Sequence, residues 1–182
     1  MTIYCDLIRL REIELRQCLK MSEANMFAFL QNERYGDWSD IGTAWHGLHF
    51  VLNRAYPNSD NIFDFLIYGG ISLTDHNWAF RVNFNLPDMR GFEYKQVRKI
   101  SNALLSVSKW DLKRAYLPEL MWQNNIHPGT WETQNQVIRW YLATNFKISL
   151  QLRYLLINFD QLKRFFLIAK HRNLGVIIKY YE

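Results

Sequence analysis

Two histidines three residues apart carry the most distinctive chemistry in the sequence. They lie in the segment Trp45-His46-Gly47-Leu48-His49-Phe50. On a helix, His46 and His49 would share one flank beside an apolar stripe that contains Trp45. Imidazoles placed in this way can bind a metal ion, act as a general base with its partner, contact a ligand or partner, or form structural hydrogen bonds. The spacing alone does not choose among these roles.

Three residues outside this helix join Trp45 and the histidine pair as candidates for contact with a ligand or partner. His127 lies in a Pro-Gly turn, and Trp131 follows the turn, where we expect it to cover the core. Arg81 lies on the polar side of an alternating segment, where it can bind an anion or form a salt bridge within the domain. Nothing in the sequence brings His127 to the histidine pair, and a zinc site needs three or four ligands. We therefore expect no metal site and no cofactor.

The sequence contains no other recognisable catalytic motif. The sequence lacks the G-x-S-x-G elbow of serine hydrolases and the C-x-x-C pair. Gly69-Gly70 lacks the spacing of a phosphate-binding loop and predicts a turn. Cys5 and Cys18 lie in apolar segments, so we expect buried, reduced thiols. The sequence shows neither a signal peptide nor the ~20 apolar residues of a membrane helix, which predicts a cytoplasmic protein without a membrane partner.

The charge of the chain is unevenly distributed. The 182 residues carry a net charge of +5. Residues 1–89 hold 7 basic and 11 acidic side chains, whereas residues 90–182 hold 15 and 6. The C-terminal half can attract nucleic acid or an acidic protein, or it can present solvated lysines and arginines on helix faces. Aromatic residues make up 16% of the chain, which requires a large buried core or an exposed binding surface.

Hydrophobic periodicity predicts one domain of mixed helices and strands. Strands are expected at residues 3–10, 79–85 and 176–181, and turns at 69–70, 86–91 and 126–129. Helices are expected at residues 10–20, 40–53, 108–118 and 159–172, after Ser22, over Val97 to Val107, and briefly at Met121 and Trp122. Residues 133–157 are expected to be mainly helical, either without a break or with one near Lys147–Ser149, and 61–68 is helix or strand. We expect Asp40 to cap the helix at 40–53, and Ile13 and Leu19 to be buried. Pairing of the two terminal strands closes a small sheet packed against several helices, an α+β fold.

Six pieces occur in the order of a known bacterial family. They are Met1-Thr2-Ile3-Tyr4, the helix from Asp40 to Leu52, Gly69-Gly70, the strand around Phe80-Arg81-Val82, the turn Ile126-His127-Pro128-Gly129 with Trp131, and the ending Gly175-Val176-Ile177-Ile178-Lys179-Tyr180. Together they resemble the YfbM-like family of domains of unknown function. The resemblance implies one α+β domain over residues 1–182, in a bacterial cytoplasm, and no established reaction. The chain departs from the family at His127, where the family has tyrosine, and is richer in aromatic and basic residues over 133–173, so no shared ligand is implied there.

Three functions are compatible with these patterns. The first is a non-catalytic factor that binds a protein partner, for example an immunity-type protein that neutralises a toxin. The small size, the lack of a catalytic motif and the charge asymmetry favour it. The second is a hydrolase or transferase that uses His46 and His49 in a cleft. The third, nucleic-acid binding through the basic C-terminal half, ranks last because no recognised motif is present. The sequence does not indicate an oligomeric state.

Overall fold

The computed structural model of the protein describes residues 3–33, 37–73, 89–127, 129, 131 and 149–181. Within these ranges the strands are β1 (Tyr4–Leu10), β2 (Trp38–Gly42), β3 (Ile71–Ser72), β4 (Met89–Phe92) and β5 (Gly175–Tyr181). The helices are α1 (Glu12–Cys18), α2 (Glu23–Glu33), α3 (Ala44–Ala55), α4 (Ile62–Tyr68), α5 (Tyr94–Ser106), α6 (Lys109–Ala115), α7 (Pro118–Gln123) and α8 (Leu150–His171). The strands form one antiparallel sheet in the order β2-β1-β5-β4-β3, which confirms the α+β prediction.

The two terminal strands form the centre of the sheet. β1 and β5 pair from Tyr4 opposite Tyr181 to Leu10 opposite Gly175, as the sequence predicted. Helices cover both faces of this pair. Most residues of both strands are therefore buried.

The side chains of β1 and β5 enter two separate cores. On one face, Ile8, Leu10 and Ile177 pack with side chains of α1 and α2. On the other face, β1 and β5 contribute to a larger core with α3 to α8, and their members there are Cys5, Leu7, Val176, Ile178 and Tyr180. Both cysteines are buried and form no disulfide. The sheet therefore lies between two helical layers, of which the second is much larger.

Strand β2 lies at one edge of the sheet, and α8 contacts its outer side. The side-chain Nε2 of Gln161 donates hydrogen bonds to the backbone carbonyl of Asp40 at 2.6 Å and to Ser39 Oγ at 2.9 Å. The Tyr154 hydroxyl accepts the backbone N–H of Thr43 at 3.1 Å. Side chains of α8 thus bond to a backbone carbonyl of β2 and to the backbone N–H of the residue that follows the strand.

The helix predicted at residues 40–53 begins later than expected, at Ala44. Asp40 belongs to β2, so the prediction that it caps this helix is wrong. Its carboxylate instead accepts the backbone N–H of Gly42. Gly42 has a φ of 54°, a left-handed conformation that glycine adopts readily and that continues neither a strand nor a helix. The chain therefore turns at Gly42 before α3 starts.

The buried face of α1 also differs from the prediction. Ile13 and Leu19 are 62% and 42% exposed, whereas Glu14 is 3% exposed. The Glu14 carboxylate accepts the backbone N–H of Arg11 at 2.7 Å. It also accepts hydrogen bonds from the Arg11 guanidinium. These contacts satisfy the charge of Glu14 at the start of the helix. Leu15 and Cys18 are buried on the same face, so the cap at Glu14 and this apolar pair together set the orientation of α1.

Two predicted boundaries near the ends of the described ranges are wrong. The separate helices predicted up to 157 and from 159 are one helix in the described part, α8, whose N-cap Ser149 lies in the predicted break near Lys147–Ser149. Within this helix the side-chain amide of Asn158 donates to the Tyr154 carbonyl. Residues 89–91 were predicted as a turn but form part of β4, since Met89 to Phe92 pair with β5. The predicted strand at 79–85 lies outside the described residues. No described helix, including the 22-residue α8, is long and apolar enough to cross a membrane.

Gly47 allows α3 to approach Trp131 and α8 closely. A Cβ at this position would lie 2.5 Å from Cη2 of Trp131 and 2.9 Å from Cδ2 of Leu155. The indole N–H of Trp131 donates to the Ile126 carbonyl at 2.7 Å, which fixes the ring in place. Trp131 is 5% exposed and packs against the larger core, where the sequence predicted an aromatic cover.

Substitution Gly47→Ala should therefore lower stability, although alanine favours a helix over glycine by about 1 kcal/mol. The clash with a fixed indole ring should outweigh this gain and lower the free energy of unfolding by about 1–2 kcal/mol. Urea denaturation of the wild type and the variant would measure the change. In a Trp131→Leu background, the same substitution should cost less. An equal or larger cost in that background would contradict the proposed clash.

Candidate functional site

Three hydrogen bonds connect α3, the residue before β1 and the turn that contains His127. The backbone N–H of His127 donates to Nδ1 of His46 at 2.9 Å. Nε2 of His127 accepts the backbone N–H of Ile3 at 3.0 Å. The indole N–H of Trp45 then donates to the Ile3 carbonyl at 3.1 Å. Because Trp45 and His46 are neighbours on α3, these bonds form a closed loop through the three segments.

This loop requires two neutral imidazoles. Nδ1 of His46 and Nε2 of His127 each accept a backbone N–H, and a doubly protonated imidazole has no acceptor nitrogen. His46 is 7% exposed, and burial, with smaller effects of His49 and His127, lowers its pKa from 6.5 to about 4. Burial also lowers the pKa of His127. Both rings are therefore neutral near pH 7, as the hydrogen bonds demand.

Trp45 is the centre of the ring packing around this loop. It is fully buried. Its ring stacks on His46 at a centroid distance of 5.0 Å and on His127 at 6.3 Å. The edge of Tyr180 from β5 meets Trp45 at 5.2 Å, and the Tyr180 hydroxyl donates to the Ile67 carbonyl. The aromatic contacts join α3 to the sheet and contribute to stability beyond the area that they bury.

His49 lies in a different environment from His46, although their ring centroids are 6.4 Å apart. Its Nε2 is 2.6 Å from Oδ1 of Asp64 on α4. The side-chain amide of Asn53 donates to the same carboxylate oxygen at 2.7 Å. The His49 side chain is 15% exposed and that of Asp64 is 48% exposed. Burial lowers the pKa of His49, and the hydrogen bond and charge of Asp64 oppose this effect.

The carboxylate of Asp64 orients the His49 ring. An ionised carboxylate only accepts hydrogen bonds, so Nε2 of His49 carries the proton and donates to it. Nδ1 is then the basic nitrogen of the neutral ring, and it bonds to no residue in the described ranges. The edge of the Tyr68 ring packs on His49 at 4.9 Å. This arrangement can accept a proton at Nδ1 and stabilise the resulting imidazolium through Asp64.

The structure thus separates the predicted site residues. Trp45, His46 and His127 belong to the closed loop of hydrogen bonds, His49 faces Asp64, and Trp131 packs on Gly47. Arg81 lies outside the described residues. Sequence reasoning missed Asp64, whose only signal was its position as the acidic residue in the apolar segment 61–68. In the part of the chain that the structure describes, no three His, Cys, Asp or Glu side chains are arranged to hold a metal ion.

His46 should make the stability of the protein depend on pH. Its pKa is lowered on folding, so the unfolded chain binds a proton as the pH falls from 6.5 to about 4 while the folded protein does not. The free energy of unfolding should therefore fall over this interval, with a His46 contribution on the order of 3 kcal/mol. In His46→Gln this contribution is absent, so the decrease should be smaller. Urea denaturation between pH 7 and pH 4 would measure both slopes.

The variant His171→Gln, at an exposed position that ends α8, provides the control and should keep the wild-type dependence. An unchanged slope in His46→Gln would show that His46 is protonated in the folded protein, against the acceptor role described above.

Comparisons with known proteins identify the family of this fold. A crystal structure of a protein of unknown function, YfbM from Escherichia coli, is similar over 98% of this chain and 99% of that chain, with a TM-score of 0.69 and 14% identity. At this identity the likeness shows a common fold alone. No curated protein matches the chain. A family described as a domain of unknown function (DUF1877) matches residues 1–179, so the chain belongs to the DUF1877 family.

Proposed function

We propose that the protein is a non-catalytic factor that binds an acidic protein through a surface formed by Trp110, Lys113 and Arg114 on α6, here called the Trp110 surface. The observation that carries this proposal is the exposure of Trp110, which is 69% accessible to solvent. Tryptophan and arginine are enriched among the residues that dominate binding energy in protein interfaces. Trp122 on the following helix, α7, is also 63% exposed.

Hydrogen bonds on both sides of Trp110 hold it in place. The backbone N–H of Trp110 donates to Ser108 Oγ at 3.1 Å. The hydroxyl of Tyr56, which follows α3, accepts the backbone N–H of Ser108 at 2.9 Å and donates to Asp111 Oδ2 at 2.7 Å. Nζ of Lys113 lies 5.0 Å from the centre of the Trp110 ring. These bonds fix the backbone that carries Trp110, so this segment loses little conformational freedom when a partner covers it, which favours affinity.

The charges next to Trp110 favour an acidic partner. A hollow of about 400 Å³ adjoins α6, and its lining includes Arg54 and Arg114 together with Asp111, whose carboxylate accepts the Tyr56 hydroxyl. Both arginines are exposed, and Lys113 adds a third positive charge on α6. A negatively charged surface that covers Trp110 would approach these cations and gain from electrostatic steering. If the protein is of the immunity type, its partner is a toxin that is inactive while it is bound.

The main prediction concerns Trp110→Ala. Loss of a central aromatic residue typically costs ~2 kcal/mol of binding energy, or about 30-fold in affinity. Immobilised wild-type protein should therefore retain one acidic protein in stoichiometric amount from a nuclease-treated extract of the source cells, and Trp110→Ala should not. Quantitative mass spectrometry would compare the two eluates, and calorimetry with the purified partner would measure the affinities.

Ile13→Ala supplies a matched control, since Ile13 is 62% exposed on α1, on the other face of the sheet. This variant should retain the partner as the wild type does. Equal retention by Trp110→Ala, or recovery of nucleic acid alone when nuclease is omitted, would contradict the proposal.

A second candidate function is proton transfer in a hydrolase or transferase. The observation that favours it is the 2.6 Å contact between His49 and Asp64. Because the His49 pKa is lowered, the ring is neutral near pH 7 and can act as a base through Nδ1. His46, which the sequence paired with His49 in this role, already uses Nδ1 to accept a backbone N–H. His49 is therefore the better candidate base.

If His49 is a reactive base, the protein should hydrolyse p-nitrophenyl acetate faster than an equal amount of His49→Asn. General-base catalysis commonly contributes about 100-fold or more, and the rate should rise with pH as the ring loses its proton. Release of p-nitrophenol would be followed from pH 5 to pH 8. The control is again His171→Gln. Identical rates for all three proteins would exclude His49 as a base toward activated esters.

A further inference from the structure

A cleft of about 810 Å³ lies between α5 and the segment that leads into α4. Its volume is in the range that holds small organic ligands. The lining consists of Ser59, Asp60, Asn61, Ile62, Phe65, Gln96, Lys99, Asn102 and Ala103. The cleft is separate from the His49 contacts and from the Trp110 surface. A small molecule in this cleft would be bound in addition to the protein partner proposed above.

The α5 wall of the cleft presents hydrogen-bond donors. Oε1 of Gln96 accepts the backbone N–H of Glu93 at 2.9 Å, and Oδ1 of Asn102 accepts Nζ of Lys170 at 2.7 Å. A backbone N–H and an ammonium group only donate, so they determine which amide atom faces them. The amide oxygens of Gln96 and Asn102 are thus occupied, and their NH₂ groups are left to meet a ligand.

Lys99 lies between these two amides along α5. Gln96, Lys99 and Asn102 are three residues apart, so they follow one another along one side of the helix. Lys99 is exposed and forms no ion pair with any residue in the described ranges. The wall therefore combines two amide donors and one unpaired cation. This combination suits a carboxylate or a phosphate, whose oxygens accept charge-assisted hydrogen bonds.

The facing wall supplies an apolar surface and a negative charge. Phe65 and Ile62 are half-buried and line the cleft. The Phe65 ring is held edge-on against Phe92 at 5.6 Å. Asp60 and Asn61 have φ values of 51° and 57°, an uncommon conformation for two consecutive residues other than glycine. The Asp60 carboxylate at this wall disfavours a second anionic group on the ligand.

We propose that this cleft binds a small organic anion. A single carboxylate or phosphate on the ligand contacts Lys99 and the amides of Gln96 and Asn102, while an apolar ring or chain lies on Phe65. The charge of Asp60 disfavours a second anionic group on the ligand. The ligand class is thus an amphipathic carboxylate or phosphate monoester with one anionic group.

Phenyl phosphate and benzoate are suitable probes, because each joins one anionic group to a ring. NMR titration of the ¹⁵N-labelled protein should give saturable shifts confined to residues 59–65 and 96–103, with a dissociation constant of about 1 mM for ligands this small. Lys99→Gln should weaken binding about tenfold, since a charge-assisted hydrogen bond is lost. Lys95→Gln removes the same charge from α5 outside the lining, and it should leave the affinity within about twofold.

Three results would overturn the proposal. The first is the absence of saturable shifts in the cleft with either probe. The second is an equal loss of affinity in Lys95→Gln and Lys99→Gln, which would indicate unspecific attraction to a basic helix. The third is binding of inorganic phosphate as tight as that of phenyl phosphate, because Phe65 would then contribute nothing. Unchanged ¹⁵N spectra of both variants away from residue 99 or 95 would show that they fold as the wild type does.

Discussion

The hydrogen bond from the His127 backbone to His46 is the constraint on which the arrangement of this fold depends. It joins residues 81 positions apart, and the ring of His127 in turn accepts the N–H of Ile3, 124 positions away. Trp45 closes the loop through the carbonyl of Ile3. The start of the central strand, the helix α3 and the 126–129 turn are therefore fixed relative to one another by a few polar contacts within an apolar environment, where such contacts are strongest.

These hydrogen bonds also limit which residues are available for proton transfer or binding. An imidazole that accepts a backbone N–H in the core cannot take up a proton without breaking that bond, so His46 and His127 have a structural role in the described fold. His49 keeps a basic nitrogen because Asp64 binds the opposite side of its ring. The exposed Trp110 and the cleft beside Lys99 lie on other parts of the molecule. The proposed binding surfaces therefore involve other residues than the contacts that hold α3 and β1 together, and they could change without loss of the fold.

Local chemistry explains which predictions from the sequence succeeded. The apolar runs of β1 and β5 identified the central strands, and the spacing of Val97, Ile100 and Leu104 identified the buried face of α5. The start of α3 was missed because hydrophobic spacing at Ile41 matches a helix as well as the strand that it occupies. The positive φ of Gly42 ends the strand, so the helix starts only after this residue.

The candidate site was only partly predictable, for a different reason. The adjacency of His46 and His49 follows from helical spacing and was therefore visible in the sequence. The contacts of His127 and Asp64 depend on how distant segments pack, and the bond to His46 comes from a backbone N–H that has no residue-specific signal. A pattern of side chains could not have revealed it.

The cover that α8 provides for β2 has a consequence for the behaviour of the protein at high concentration. An open strand edge can recruit the strand of another molecule, which leads to aggregation or domain swapping. Gln161 and Tyr154 occupy the carbonyl of Asp40 and the N–H of Thr43, so an incoming chain would first have to displace them. Loss of these two hydrogen bonds would oppose the pairing of another strand at this edge.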